Sequence, residues 1–167
     1  MKSLKTLVSL SALAVCMGAA SMANAVSITP NPTSFTTPAS TIAVSSPASL
    51  GAAVNCGINF TGSVATGGAN ASITGATVTG GGLCGVPVLL GLPWTLTPTG
   101  GGPTLWTGTV SGVNFNILGD CATSPVTINV TFDNATNTLS IPSTQTVGKC
   151  KITKLDVHPD PKFVIVP

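Results

Sequence analysis

Acid–base catalysis needs titratable side chains that converge, and this sequence holds few of them. There is one histidine, His158, and four carboxylates, Asp120, Asp133, Asp156 and Asp160, with no Glu and no Tyr. A Ser-His-Asp arrangement has to use His158, which stands before Pro159-Asp160 in a turn-like tail. A hydrolytic carboxylate pair would be Asp120 and Asp133, yet Asp120 adjoins Cys121 and Asp133 precedes Asn134, so both read as loop residues. The runs Gly80-Gly81-Gly82 and Gly100-Gly101-Gly102 open no helix and carry no Lys, so they read as turns rather than phosphate loops. The expectation is a protein that is not an enzyme, with no catalytic residues and no cofactor.

The remaining chemistry belongs to cysteine. Residues 1–25 read as a cleaved export signal: Lys2 and Lys5, an apolar run from Leu7 to Ala20, then the small-x-small site Ala23-Asn24-Ala25. One domain is expected over residues 26–167. Cys16 stands in Leu13-Ala14-Val15-Cys16, which resembles a lipoprotein box but has Val15 where a small residue is needed. Without Cys16, an exported chain retains Cys56, Cys84, Cys121 and Cys150, an even number in an oxidising compartment. Three pairings are open. The separations, 28 from Cys56 to Cys84 and 29 from Cys121 to Cys150, favour those two bridges, because the ends of a hairpin lie close together. Zinc is a poor fit, since no CxxC occurs and His158 lies in the tail, so no metal is expected.

The elements that hold these cysteines repeat. Ile58-Asn59-Phe60-Thr61 matches Ile128-Asn129-Val130-Thr131, a turn follows at Thr66 to Ala69 or at Asp133 to Ala135, and a Thr/Ser-rich strand returns to the closing cysteine. Val126, Ile128, Val130 and Phe132 alternate with Thr127, Asn129 and Thr131, the two-residue period of a half-buried strand. Ile42 and Val44 mark another strand, Trp94 and Leu96 share one face of a third, and Trp106 to Val110 with Val113, Phe115 and Ile117 reads as one long strand broken by Ser111-Gly112, or as two strands with a bulge there. No sustained helical period occurs after residue 25. The predicted class is all-β, a disulfide-stapled antiparallel β-sandwich with a flattened barrel as the alternative.

Charge narrows the function. Between Val26 and Gly148 the only charged side chains are Asp120 and Asp133, and Lys149, Lys151, Lys154 and Lys162 follow. This argues against nucleic acid, which calls for a basic patch, while weak repulsion favours association with interfaces or with other copies. No stretch after residue 25 is long and apolar enough for a transmembrane anchor. Trp94 and Trp106 are candidates for apolar contact, as a platform for sugar or hydrocarbon, or else core residues bridging two sheets. Trp94, in an apolar stretch after Pro93, reads as the more core-like. Glycosylation triplets such as Asn134-Ala135-Thr136 arise readily in so Asn- and Thr-rich a chain.

Several short segments carry a resemblance. The export signal, the Ser/Thr-rich start, Val54-Asn55-Cys56, Ile58 to Gly62, Ile73-Thr74-Gly75-Ala76, Leu83-Cys84 and Leu92-Pro93-Trp94-Thr95 resemble the PraB family, secreted bacterial proteins described as activators of alkane oxidation. The resemblance implies an extracellular protein that helps cells use water-insoluble hydrocarbons without oxidising them, and it brings no catalytic residues. The charged tail from Lys149 to Lys162 has no counterpart in that pattern. The reading is therefore a secreted, extracellular or cell-surface protein whose partner is a hydrocarbon or cell-surface interface. The alternative is a self-associating matrix, biofilm or fibre subunit, pairing through Val113 to Ile117 or Val126 to Phe132 if either lies at an edge. A carbohydrate-binding module has the least support.

Overall fold

The computed structural model describes residues 26–167; the expected export signal, with Lys2, Lys5 and Cys16, lies outside the described residues. The chain forms β1 (Ser27–Thr29), β2 (Thr33–Thr36), β3 (Ser40–Ser45), β4 (Ala53–Val64), β5 (Ala71–Thr79), β6 (Val88–Leu90) and β7 (Trp94–Gly102). It continues with β8 (Leu105–Asn116), β9 (Val126–Asp133), β10 (Thr138–Ser140), β11 (Gln145–Val147), β12 (Cys150–Val157) and β13 (Val164–Val166). Short 3-10 turns occupy Pro47–Ser49 and Gly82–Gly85.

Antiparallel pairing runs β10-β9-β8-β7-β5-β4-β3-β12 and returns to β10, where Leu139 faces both Phe132 and Val157. The all-β expectation holds in its barrel form: eight strands close on themselves instead of stacking as two open sheets. The long strands bend where the register slips, between Thr61 and Gly62, between Pro98 and Gly100, and between Val110 and Val113. Such irregularities add the twist and curvature that closure needs. The bulge expected at Ser111-Gly112 is present, with Gly112 at φ +82°. Gly100 to Gly102 are not a turn. They end β7, paired with Leu105 to Thr107, and a side chain at Gly101 would meet the Trp106 backbone at 2.7 Å.

Alternation sets which side of the wall each residue faces. Trp106, Val110, Ile128, Val130 and Phe132 are buried inside, while Thr107, Asn129, Lys151 and Thr153 face out. Apolar inside and polar outside is the reverse of a barrel that spans a membrane. Among the described residues no helix is long and apolar enough to cross one. The two segments considered for self-association differ in their pairing: β9 has β10 beside it only from Thr131 to Asp133. The Val113–Asn116 stretch of β8 has β6 on one side, and above β10 the exposed backbone N–H of Asn129 in β9 donates to Gln145 Oε1 at 2.9 Å.

The two ends differ. At the lower end β1 pairs with β13, and Ile28, Phe35, Phe163 and Ile165 are buried there. Two asparagines in the β9–β10 turn hold this cap in register. Asn134 accepts from the Ile165 N–H at 2.8 Å and donates to the Ile165 carbonyl at 2.9 Å. Asn137, buried at φ +53°, accepts from the Phe163 N–H at 2.9 Å and donates to the Pro159 carbonyl at 2.8 Å. Asn137→Ala orphans both buried groups and puts a Cβ residue without local hydrogen bonding in a left-handed conformation. A loss of about 3 kcal/mol is expected, read by urea unfolding. A loss below about 0.5 kcal/mol, the range of ordinary surface changes, would mean the cap contributes little.

Candidate functional site

Bulky apolar side chains fill the lower part of the barrel, but the upper part is not filled. A cavity of about 90 Å³ lies between Phe60, Ile73, Trp94, Val113, Phe115 and Ile152. Toward the lower end its lining is buried, as at Phe35, Thr37, Pro159 and Phe163. Toward the upper end Val44, Val54, Val78, Leu83, Pro87 and Leu89 are each partly exposed. The cavity is therefore closed below and open above. An unfilled apolar space of this size costs about 2 kcal/mol at roughly 24 cal/mol per Å³. A wall held by closure and cross-links withstands that cost instead of collapsing.

The cysteines are those cross-links. Cys56 is bonded to Cys84 and Cys121 to Cys150, with Cα separations of 5.5 and 5.2 Å. Both bridges lie toward the upper end, near places where the ladder is incomplete. β5 bonds β7 only through Ala71 to Ile73, so its upper part lacks a partner on that side, and Cys56–Cys84 ties the Gly82–Gly85 turn to β4 nearby. β9 bonds β10 only through Thr131 to Asp133, and Cys121–Cys150 ties the β8–β9 loop to the start of β12. The bridges thus hold the mouth where hydrogen bonds do not. Two disulfides suit an oxidising environment, extracellular or periplasmic.

Neither tryptophan forms a surface platform. Trp94 is 6% exposed and faces the cavity; its Nε1 donates to the Leu90 carbonyl at 2.9 Å, anchoring the loop after β6. Trp106 is 3% exposed, packs below the cavity and donates to the Pro103 carbonyl at 3.4 Å. The apolar contact that Trp94 offers is internal, and no exposed aromatic plane of either residue is available to a sugar.

The titratable residues lie apart from the cavity. Asp120 accepts from Asn116 Nδ2 at 3.0 Å in the β8–β9 loop, and Asp133 accepts from the Ala135 N–H at 2.8 Å at the far end of β9. His158 Nε2 stands 3.0 Å from Asp156 Oδ1, an approach without hydrogen-bond alignment, and Nδ1 lies 3.3 Å from Thr138 Oγ1. The order Thr-His-Asp has the form of a triad. However, the Thr138 hydroxyl also donates to the Thr136 carbonyl, and the His and Asp side chains are 43% and 38% exposed. Both are half-exposed on the wall, with the Asp156 oxygen that faces His158 buried, and none of the three residues lines the cavity.

Sequence reasoning missed two residues at the mouth end. Leu50 and Leu118 are 96% and 67% exposed, at φ +53° and +51°, in the β3–β4 and β8–β9 loops. A left-handed Leu is costly and a solvent-facing one recovers nothing from the core, so the fold gives no reason for either. Val88, also exposed, lies at the same end. The signals were Leu50-Gly51 and Leu118-Gly119, a leucine at a turn beside glycine instead of in an alternating strand.

No curated protein and no solved structure matches the chain. The family model described as alkane oxidation protein activator PraA/PraB-like matches residues 1–167, its whole length, and the chain belongs to that family.

Proposed function

We propose that this is a secreted, non-enzymatic protein that acts at the cell surface or at an oil–water boundary to help cells use hydrocarbons. Family membership supports the hydrocarbon part, and the upper end of the barrel supports the boundary part. The observation that carries the reading is the pair of solvent-facing leucines, Leu50 and Leu118, beside an apolar mouth. Their transfer from water to oil is favourable, and the cross-linked barrel behind them need not unfold to make the contact. The double substitution Leu50→Ser and Leu118→Ser should weaken adsorption to a hexadecane droplet by about 100-fold or more, since each leucine contributes roughly 1.5–3 kcal/mol on leaving water. Interfacial tension of a pendant drop reads this. An unchanged adsorption isotherm in the folded double variant counts against the reading.

The non-enzymatic part has its own test at the Thr138, His158 and Asp156 cluster. Loss of a working triad member lowers turnover by roughly 10⁴-fold, whereas His158→Ala here should leave stimulation of growth on alkane within about twofold. Abolition of stimulation in a folded His158→Ala protein would identify the cluster as a catalytic site.

A further inference from the structure

We propose that the barrel interior binds the methyl end of one unbranched alkyl chain, admitted through the upper mouth, with any polar head left outside. The chemistry of the lining selects the ligand. It contains no charged side chain, and its few polar side-chain atoms are already engaged: Thr37 Oγ1 accepts from the Phe60 N–H at 2.7 Å, Ser46 Oγ accepts from the Ser49 N–H at 3.3 Å, and Trp94 Nε1 donates to Leu90. Beyond the Thr37 and Ser46 hydroxyls a polar ligand group finds no side-chain partner in this wall, and burying an unpaired charge is prohibitive, so the lining favours alkyl carbon.

The dimensions select the number and the direction. An eight-stranded barrel has a bore that side chains fill or that holds one small ligand. An apolar cavity of about 150 Å³ stays dry and binds benzene, so the smaller space here, about 90 Å³, takes the last few carbons of a chain. The rest of the chain passes between Val78, Leu83 and Leu89 at the mouth, because the lower end is closed by the β1–β13 ribbon and Phe163. A chain charged at both ends cannot enter from either end without burying a carboxylate.

This inference deepens the hydrocarbon reading and takes its probe from it. Trp106→Phe leaves Trp94, which faces the cavity, as the reporting indole. The oxidised variant is titrated with dodecanoate and with dodecane-1,12-dioate, both below their micelle concentrations. Dodecanoate should shift Trp94 emission saturably at one chain per protein, and the diacid should bind at least about 100-fold more weakly. Val113→Phe, filling the space, should weaken dodecanoate at least about tenfold. Because overpacking a buried position risks unfolding, Val78→Phe at the half-exposed mouth repeats the test. Equal binding of monoacid and diacid, absence of saturation, or unchanged dodecanoate affinity in a folded filling variant overturns the interior site. Growth stimulation on hexadecane is followed in parallel for the unsubstituted protein. Its persistence while interior binding fails retains the hydrocarbon reading and removes the site; its absence beside saturable methyl-first binding does the reverse.

Discussion

Replacing Cys56, Cys84, Cys121 and Cys150 together by serine is expected to leave most of the chain unfolded at about 37 °C, as far-UV and near-UV circular dichroism would show. Loops of 28 and 29 residues contribute about 3–4 kcal/mol each when closed in the chain-entropy account, so the pair contributes about 7 kcal/mol. A domain of this size has roughly 5–15 kcal/mol in total. The position of the bridges sharpens the expectation, since both stand near incomplete parts of the ladder at the open end. The serine variant that does remain folded should therefore lose protection there first, in hydrogen exchange of β5, β6 and the upper part of β9. A four-serine variant with an unchanged unfolding midpoint would show that hydrogen bonds and packing alone hold the mouth.

Phe163→Ala should lower stability by about 4 kcal/mol, within the roughly 3–5 kcal/mol typical of a buried Phe truncated to Ala. Phe163 is 2% exposed and sits edge-on to Phe35 at 5.2 Å and tilted to Phe132 at 6.5 Å, so its ring joins the β2 side of the wall, β9 and the C-terminal cap. Removing it leaves a void under the cavity floor and detaches aromatic partners on two sides. Phe163→Leu, which conserves most of the volume, should cost less than about 1.5 kcal/mol. Equal losses from both substitutions, measured by urea unfolding, would show that the aromatic contacts rather than the filled volume dominate.

Which faces point inward was legible wherever two-residue alternation persisted, as in Val126 to Phe132, and the bulge at Ser111-Gly112 was legible because the pattern breaks phase there. Closure was not. A sandwich and a barrel both ask every second side chain to face inward, and they differ here in whether Leu139 pairs with Val157 as well as Phe132, a contact of long sequence separation. Gly100 to Gly102 read as a turn because glycine marks turns, yet they pair within β7, and at Gly101 two backbones approach too closely for a Cβ. The tail from Lys149 onward was legible in part: Leu155 and Val157 alternate as the inward residues of β12, which pairs with β3, whereas the docking of Phe163 and Ile165 in the cap also depends on side-chain bonds from Asn134 and Asn137, which no pattern in the tail reveals. The cavity was least legible of all. Its lining residues are ordinary core residues by type, and only their spacing around a closed wall leaves room between them.

The central claim, that the protein helps hydrocarbon use by physical contact and not by chemistry, is tested most directly without cells. Purified, oxidised protein is shaken with n-hexadecane in buffer, the phases are separated, and the aqueous alkane is quantified and identified by gas chromatography. The account predicts aqueous hexadecane that rises in proportion to protein and is recovered chemically unchanged. Aqueous hexadecane no higher than in protein-free buffer, or its recovery as an oxidised product, would contradict it.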